Sequence, residues 1–137
     1  MSWILKLFSR KKNLIIIVED DYETALLLSK FLQARGCKVK HAREGLEGLR
    51  MIQSDQPQLV LLDVMLPGID GFETLLKLKS NPSTKQIPVI MCTVLNKVAD
   101  VEKCCKWGAE GYITKPFELD RIWEKVSSLI KTEKKAW

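Results

Sequence analysis

The feature that most constrains this chain is an alternation: short β-branched apolar runs are separated by segments whose apolar residues recur every three to four positions. Asn13 to Glu19 is apolar through its interior and stops at acids, the pattern of a strand covered on both faces within a parallel sheet. Tyr22 to about Arg35 carries Ala25, Leu28 and Leu32 at helical spacing, with Leu27 and Phe31 beside them and Gly36 as a stop. Cys37 to His41 reads as a second strand, and Arg43 to Gln53 as a helix with Leu46, Leu49 and Ile52 on adjoining faces, closed by Ser54-Asp55-Gln56-Pro57. Leu59 to Leu62 is a third strand ending at Asp63; the turn Pro67-Gly68-Ile69-Asp70-Gly71 then leads to a helix with Phe72, Leu75, Leu76 and Leu78. Pro88 to Cys92, Asn96 to Trp107, Tyr112 to Thr114 and Leu119 to about Lys131 complete the series as strand, helix, strand and helix. Five such units require right-handed crossovers, which predicts an α/β fold: a doubly wound (βα)5 flavodoxin-like sandwich with a five-stranded parallel sheet.

A length of 137 residues suits one domain, and a composition 46% hydrophobic and 28% charged excludes collagen-like, low-complexity and wholly disordered chains. No apolar run approaches the roughly 18 residues of a membrane span, and Trp3 to Phe8 is too short for a secretory core, so the expectation is a soluble, cytoplasmic protein. Cys37, Cys92, Cys104 and Cys105 form no CxxC pair, and His41 is the only histidine, which argues against zinc and for reduced, partly buried thiols. The net charge of +5 is spread along the chain, with local density only near Arg10 to Lys12 and Lys131 to Lys135, a weak case for nucleic acid or an acidic membrane. The expected division is an N-terminal basic and apolar extension at 1–12, a domain at 13–131 and a C-terminal tail at 132–137.

In such a sheet the residues at the carboxyl ends of the strands converge, wherever they lie in sequence. The first strand ends at Glu19-Asp20-Asp21, the third at Asp63, the fourth at Thr93, the fifth at Lys115-Pro116; the second supplies only His41. Carboxylates gathered from adjacent strand ends repel one another unless a cation sits among them, and hard oxygen donors select Mg²⁺ or Mn²⁺. Lys115 offers a compact positive charge and Thr93 a hydroxyl, so the set suits a phosphoryl group.

Together the acid pair, Asp63-Val64-Met65-Leu66-Pro67-Gly68-Ile69-Asp70-Gly71, Thr93 and Tyr112-Ile113-Thr114-Lys115-Pro116-Phe117 resemble the receiver domain of two-component response regulators, over about residues 13 to 131. The spacing agrees: 43 positions from Asp20 to Asp63 and 22 from Thr93 to Lys115. The chain is similar to the single-domain, chemotaxis-regulator-like members, a signalling module rather than an enzyme, with no chemistry beyond its own phosphorylation and dephosphorylation. The resemblance implies that Asp63 accepts a phosphoryl group from a histidine kinase or phosphotransfer protein. It further implies that Asp20 and Asp63 bind Mg²⁺ (Mn²⁺ serving as well), Glu19 acting through a coordinated water and Met65 through its backbone carbonyl, while Lys115 holds a phosphoryl oxygen. Thr93 would bond the arriving group and let Tyr112 change rotamer, switching a face built from the fourth and fifth strands and helices toward a downstream effector protein. Val94 stands where the family usually has Ala, Gly or Ser, which should narrow access to the site. Met65 and Leu95 offer a hydrolytic water no orienting hydrogen bond, so the phosphoryl group should be long-lived.

Plainer roles stand beside these. Glu19 and Asp20 suit a solvated helix N-terminus, Asp21 and Asp70 suit N-caps, Asp63 could cap a turn, Thr93 could be a buried hydroxyl on backbone, and Tyr112 plain core. Trp107 and Trp123 could anchor a partner or pack the sheet; His41 and the cysteines are assigned to structure. For 3–12, a basic amphipathic turn making a weak peripheral contact with a membrane or a partner stands against a helix packed on the domain or a disordered tail. Alternative functions are a non-phosphorylated pseudo-receiver and an aspartyl-nucleophile phosphatase; the latter wants an acid two residues after Asp63, where Met65 stands. No direct DNA binding is expected, since few residues follow 131.

Overall fold

The computed structural model describes residues 13–130. The readings made for 1–12 and for 131–137 lie outside the described residues. Five strands, β1 (Leu14–Val18), β2 (Lys38–Ala42), β3 (Leu59–Leu62), β4 (Val89–Thr93) and β5 (Gly111–Thr114), alternate with five helices. The helices are α1 (Tyr22–Ala34), α2 (Gly45–Asp55), α3 (Gly71–Ser80), α4 (Val98–Lys106) and α5 (Leu119–Leu129). All four pairings are parallel and the strand order is β2-β1-β3-β4-β5, so the sheet is the doubly wound one expected.

The two-residue period of the strands divides the core into two layers. Ile15, Ile17, Leu59, Leu61, Ile90 and Cys92 face one side, where Leu28 and Leu32 of α1 and Ile122 and Val126 of α5 cover them. Ile16, Val18, Val60, Leu62, Val89 and Met91 face the other, against Ile52 of α2, Leu75 and Leu78 of α3 and Cys104 of α4. Every residue of β1, β3 and β4 is buried, which is why those strands read as unbroken apolar runs, whereas the edge strand β2 alternates.

Helix ends follow local chemistry. Asp21 caps α1 by accepting from the Thr24 N–H at 3.1 Å, and Asp70 caps α3 by accepting from the Glu73 N–H at 2.9 Å, as the sequence suggested. Gly36, at φ +90°, ends α1. The second helix runs Gly45–Asp55 rather than 43–53 because the Glu47 carboxylate accepts from the Arg43 N–H at 2.8 Å ahead of its first turn, and Gln56 adopts the left-handed conformation before Pro57. The fourth helix is two residues shorter at its start and one at its end than expected, Val98–Lys106.

Leu46, which recurs with Leu49 and Ile52 at helical spacing, is exposed, as is Leu76 on α3. Glycines take that place in α2: a Cβ on Gly45 would lie 2.4 Å from Thr74 Oγ1, and one on Gly48 2.9 Å from Val18 Cγ2, so the helix packs through its backbone. Both tryptophans in question pack on the domain. Trp107 meets Phe72 edge-on at 6.3 Å with Lys103 over both rings, and Trp123 joins Phe31 under the Arg35 guanidinium. The four cysteines are free; Cys37, Cys92 and Cys104 are buried, and burial pushes the Cys92 thiol up to about 12.

Candidate functional site

The strand order reverses direction between β1 and β3, and the crevice beyond their carboxyl ends is where a fold of this kind places a ligand. Glu19 follows β1 directly and Asp63 follows β3 directly; parallel register holds them side by side, with Asp63 N–H donating to Val18 O at 3.0 Å. A carboxylate oxygen from each of Glu19, Asp20 and Asp63 lies within 4.8 Å of the others. Glu19 and Asp63 are buried and Asp20 is exposed, so the cluster has two fixed walls and one open side.

Lys115, one residue past β5, reaches across to this cluster. Its Nζ donates to Glu19 Oε1 at 2.5 Å and to Asp63 Oδ2 at 3.0 Å. The Lys115–Pro116 bond is cis, and the Lys115 N–H donates to Thr93 O at 2.8 Å, tying the ends of β4 and β5 together. Each remaining carboxylate oxygen has a backbone donor: Asp21 N–H on Glu19 Oε2 and Met65 N–H on Asp63 Oδ1, both at 3.2 Å.

Burial raises the Glu19 carboxyl from 4.5 to about 7, since ionising it beside Asp63 in a poorly solvated crevice is costly even with Lys115 opposing. The two carboxylates hold the Lys115 ammonium above its ordinary value against the opposing effect of burial. One lysine between two buried acids leaves negative charge unbalanced, and hard oxygen donors at this spacing fit a divalent cation.

Thr93 ends β4 fully buried, its hydroxyl oxygen accepting from the Leu95 N–H at 3.4 Å. Tyr112 on β5 is half-buried and donates its hydroxyl to Leu95 O at 2.7 Å, so Thr93 and Tyr112 grip the same β4–α4 loop. Desolvation pushes the phenol up to about 12, which keeps it a donor. Val94, just after β4, and Met65, in the loop after β3, are exposed, with 54% and 55% of their surface free. All the residues singled out from sequence therefore lie at one edge of the sheet.

Three supports were not foreseen. His41 Nε2 donates to Glu19 O at 2.6 Å, holding the β1–α1 loop from β2. Gly71 lets α3 start against the Asp63 main chain, its N–H donating to Val64 O at 2.7 Å. On the other layer, Lys79 donates to Lys85 O, Ile87 O and the Glu110 carboxylate, and Glu110 in turn accepts from Val89 N–H at 2.8 Å, pinning the entry to β4. The first had a signal in its position at the end of a strand; the other two depend on distances that no local pattern encodes.

Comparison with known proteins agrees with this geometry. A sequence profile of the response regulator receiver domain matches residues 15–127. The chain is 35% identical over 117 residues to the DNA-binding dual master transcriptional regulator RpaA of Synechocystis sp., covering 85% of this chain and 48% of that protein. It is 37% identical over 117 residues to the response regulator PleD of Caulobacter vibrioides, covering 85% of this chain and 26% of that protein. The chain thus spans half or less of the length of these curated relatives. A crystal structure of a putative response regulator from Chloroflexus aurantiacus superposes with a TM-score of 0.82 at 32% identity, over 87% of this chain and 98% of that one. Matched along most of its length by that profile, with five parallel strands in the flavodoxin-like order and an acidic crevice at their carboxyl edge, the chain belongs to the response regulator receiver domain family.

Proposed function

We propose that this receiver domain takes a phosphoryl group from a histidine kinase or phosphotransfer protein onto Asp63 and, so modified, changes its affinity for an effector protein. The observation that carries the proposal is the meeting of Lys115 Nζ with Asp63 Oδ2 at 3.0 Å beside the Glu19 and Asp20 carboxylates. Asp63 is the nucleophile: one carboxylate oxygen bonds to phosphorus as the phosphorus–nitrogen bond of the donor phosphohistidine breaks, and the imidazole leaves with its electron pair. Lys115 is placed to stay on the acceptor edge and hold a phosphoryl oxygen while charge redistributes. Asp20 and Asp63 would hold Mg²⁺ directly, Glu19 through a water and Met65 through its main-chain carbonyl; Mn²⁺ suits the same donors. The metal, when bound, supplies positive charge for the phosphoryl oxygens.

Thr93, at the end of β4, would donate its hydroxyl to the arriving group. Drawing Thr93 Oγ1 toward the phosphoryl oxygen would pull on its contact with the Leu95 N–H and shift the loop that Tyr112 also grips. About two added negative charges beside a loop held by two such bonds are sufficient cause for a population shift on the face of β4, α4, β5 and α5. Exposed Val94 should slow small donors, and the apolar Met65 and Leu95 should leave the acyl phosphate long-lived. The proposed output is contact with an effector protein; residues 13–130 carry 15 Lys and Arg against 16 Asp and Glu, so this domain itself offers a phosphate backbone no net attraction.

The test is intact-mass spectrometry of the protein with Mg²⁺ and a small phosphodonor, then with a histidine kinase, beside Asp63→Asn. A Mg²⁺-dependent gain of one phosphoryl group, absent in the variant, is expected. Folded protein that gains none from either donor is a fixed binding module instead.

A further inference from the structure

The ladder between β1 and β2 runs from the Lys38 N–H on Asn13 O at 2.9 Å to the Glu19 N–H on Ala42 O at 3.0 Å, using alternate residues of each strand. Continued by one step, it would bring the Glu44 N–H onto Glu19 O. The chain leaves the sheet first: Arg43 gives its N–H to the Glu47 carboxylate at 2.8 Å, and α2 begins at Gly45. Among the described residues no backbone N–H reaches Glu19 O, and a side chain supplies the missing rung, His41 Nε2 at 2.6 Å. A carbonyl only accepts, so Nε2 carries the hydrogen. His41 lies opposite Ile17 and shares a face of β2 with Val39, which packs into the layer beneath α1, so the half-buried ring comes from the packed side of the edge strand.

What this bond fixes is the Glu19–Asp20 peptide. The carbonyl of Glu19 and the Cα of Asp20 lie in one plane, so holding the Glu19 N–H and its oxygen together sets the direction in which Asp20 leaves the backbone. Asp20 needs such support more than its neighbours. Glu19 and Asp63 share Lys115 and each accepts from a backbone N–H, whereas the exposed Asp20 carboxylate has no hydrogen bond or ion pair among the described residues. Its carboxylate is nevertheless placed within 4.8 Å of the other two. On its far side Asp21 opens α1, with its N–H on Glu19 Oε2 at 3.2 Å. The loop is thus held from β2 before Asp20 and from α1 after it.

We infer that His41 is a positioning residue for the divalent cation: by completing the rung on Glu19 O it fixes the Glu19–Asp20 peptide and keeps the Asp20 carboxylate turned toward Asp63. A ligand already held in place gives up little freedom when the ion arrives, which is why groups behind the ligands govern metal affinity. The inference rests on the cation site proposed above, and it does not depend on phosphoryl transfer to Asp63.

The test is a calorimetric Mg²⁺ titration of the full chain at pH 8, where Glu19, raised to about 7, is ionised. His41→Leu removes the donor and leaves an apolar side chain on the strand; His41→Gln keeps an N–H donor at similar reach. Affinity is expected to fall about tenfold in His41→Leu and to stay within about threefold of the unsubstituted protein in His41→Gln. Lys79→Met, on the other layer of the sheet, is the control for general loosening: it should lower the urea midpoint and leave the affinity in place. Unchanged affinity in His41→Leu, an equal loss in both His41 variants, or a matching loss in Lys79→Met overturns the inference and leaves the cation site standing. Unsubstituted protein that binds neither Mg²⁺ nor Mn²⁺ overturns the cation site and the inference together.

Discussion

Replacing Gly71 by alanine tests whether the Asp63 main chain is positioned by close backbone packing. A Cβ at this position would lie 2.1 Å from Asp63 O, 2.5 Å from Val64 Cα and 2.8 Å from Asp63 C. None of these is the end of a flexible side chain, so either the first turn of α3 or the loop after β3 must move by about 1 Å to restore an ordinary contact. Overpacking of this kind costs about 1–3 kcal/mol, and a clash on main chain belongs at the top of that range. The better helix propensity of alanine returns up to about 1 kcal/mol, leaving a net loss of about 2 kcal/mol. With a urea dependence of about 1.5 kcal/mol per molar, the unfolding midpoint should drop by about 1.3 M in a circular dichroism melt. Gly36→Ala is the control: φ is +90° and nothing lies within 4 Å, so its cost is backbone strain alone, about 1 kcal/mol. Gly71→Ala should also weaken Mg²⁺ binding, because Asp63 is displaced with its own carbonyl, whereas Gly36→Ala should not. Equal midpoints for the two variants, or unchanged Mg²⁺ affinity in Gly71→Ala, would refute the packing argument.

Other outcomes follow from the same geometry. Lys115→Met strands Glu19 and Asp63 without their cation, and should cost about 3 kcal/mol at pH 8; the loss should shrink at pH 5 as Glu19 protonates, read by urea melts at both values. Because the folded Glu19 carboxyl is raised to about 7, the metal-free native state binds more protons than the unfolded chain between about pH 4.5 and 7, so stability should fall as pH rises through that window. Mg²⁺ must displace the same proton, so its affinity should strengthen up to about tenfold per pH unit below 7 and level off above, a slope that Glu19→Gln should abolish in a calorimetric titration. Lys79→Met leaves the Ile87 carbonyl without its side-chain donor and the Glu110 carboxylate with only the Val89 N–H, and should cost about 2 kcal/mol in a urea melt with little change in Mg²⁺ affinity.

How much could be read beforehand depended on the range of the interaction. The unbroken apolar runs of β1, β3 and β4 announced strands buried on both faces, and the caps Asp21 and Asp70 were legible because a cap acts within three residues. The site was legible for a different reason: parallel strands bring their carboxyl ends together whatever the intervening sequence, so Glu19, Asp20, Asp63, Thr93 and Lys115 could be gathered without coordinates. Periodicity failed where it met packing geometry. Leu46 has the helical spacing of Leu49 and Ile52, yet α2 is drawn in through Gly45 and Gly48, and this leucine remains in solvent.

The amino-acid sequence by itself determined the order of elements, the parallel sheet, the family and the edge on which chemistry collects, because each follows from short-range period or from a rule of strand direction. Only the tertiary structure decided the electrostatics. That Lys115 sits 2.5 Å from Glu19 and 3.0 Å from Asp63, that Glu19 is buried enough to hold its proton up to about pH 7, and that Tyr112 shares the Leu95 turn with Thr93 are distances across 96, 52 and 17 positions of chain. Charges and hydroxyls act through space and through the water they have lost, and neither separation nor desolvation exists until the two layers have closed over the sheet.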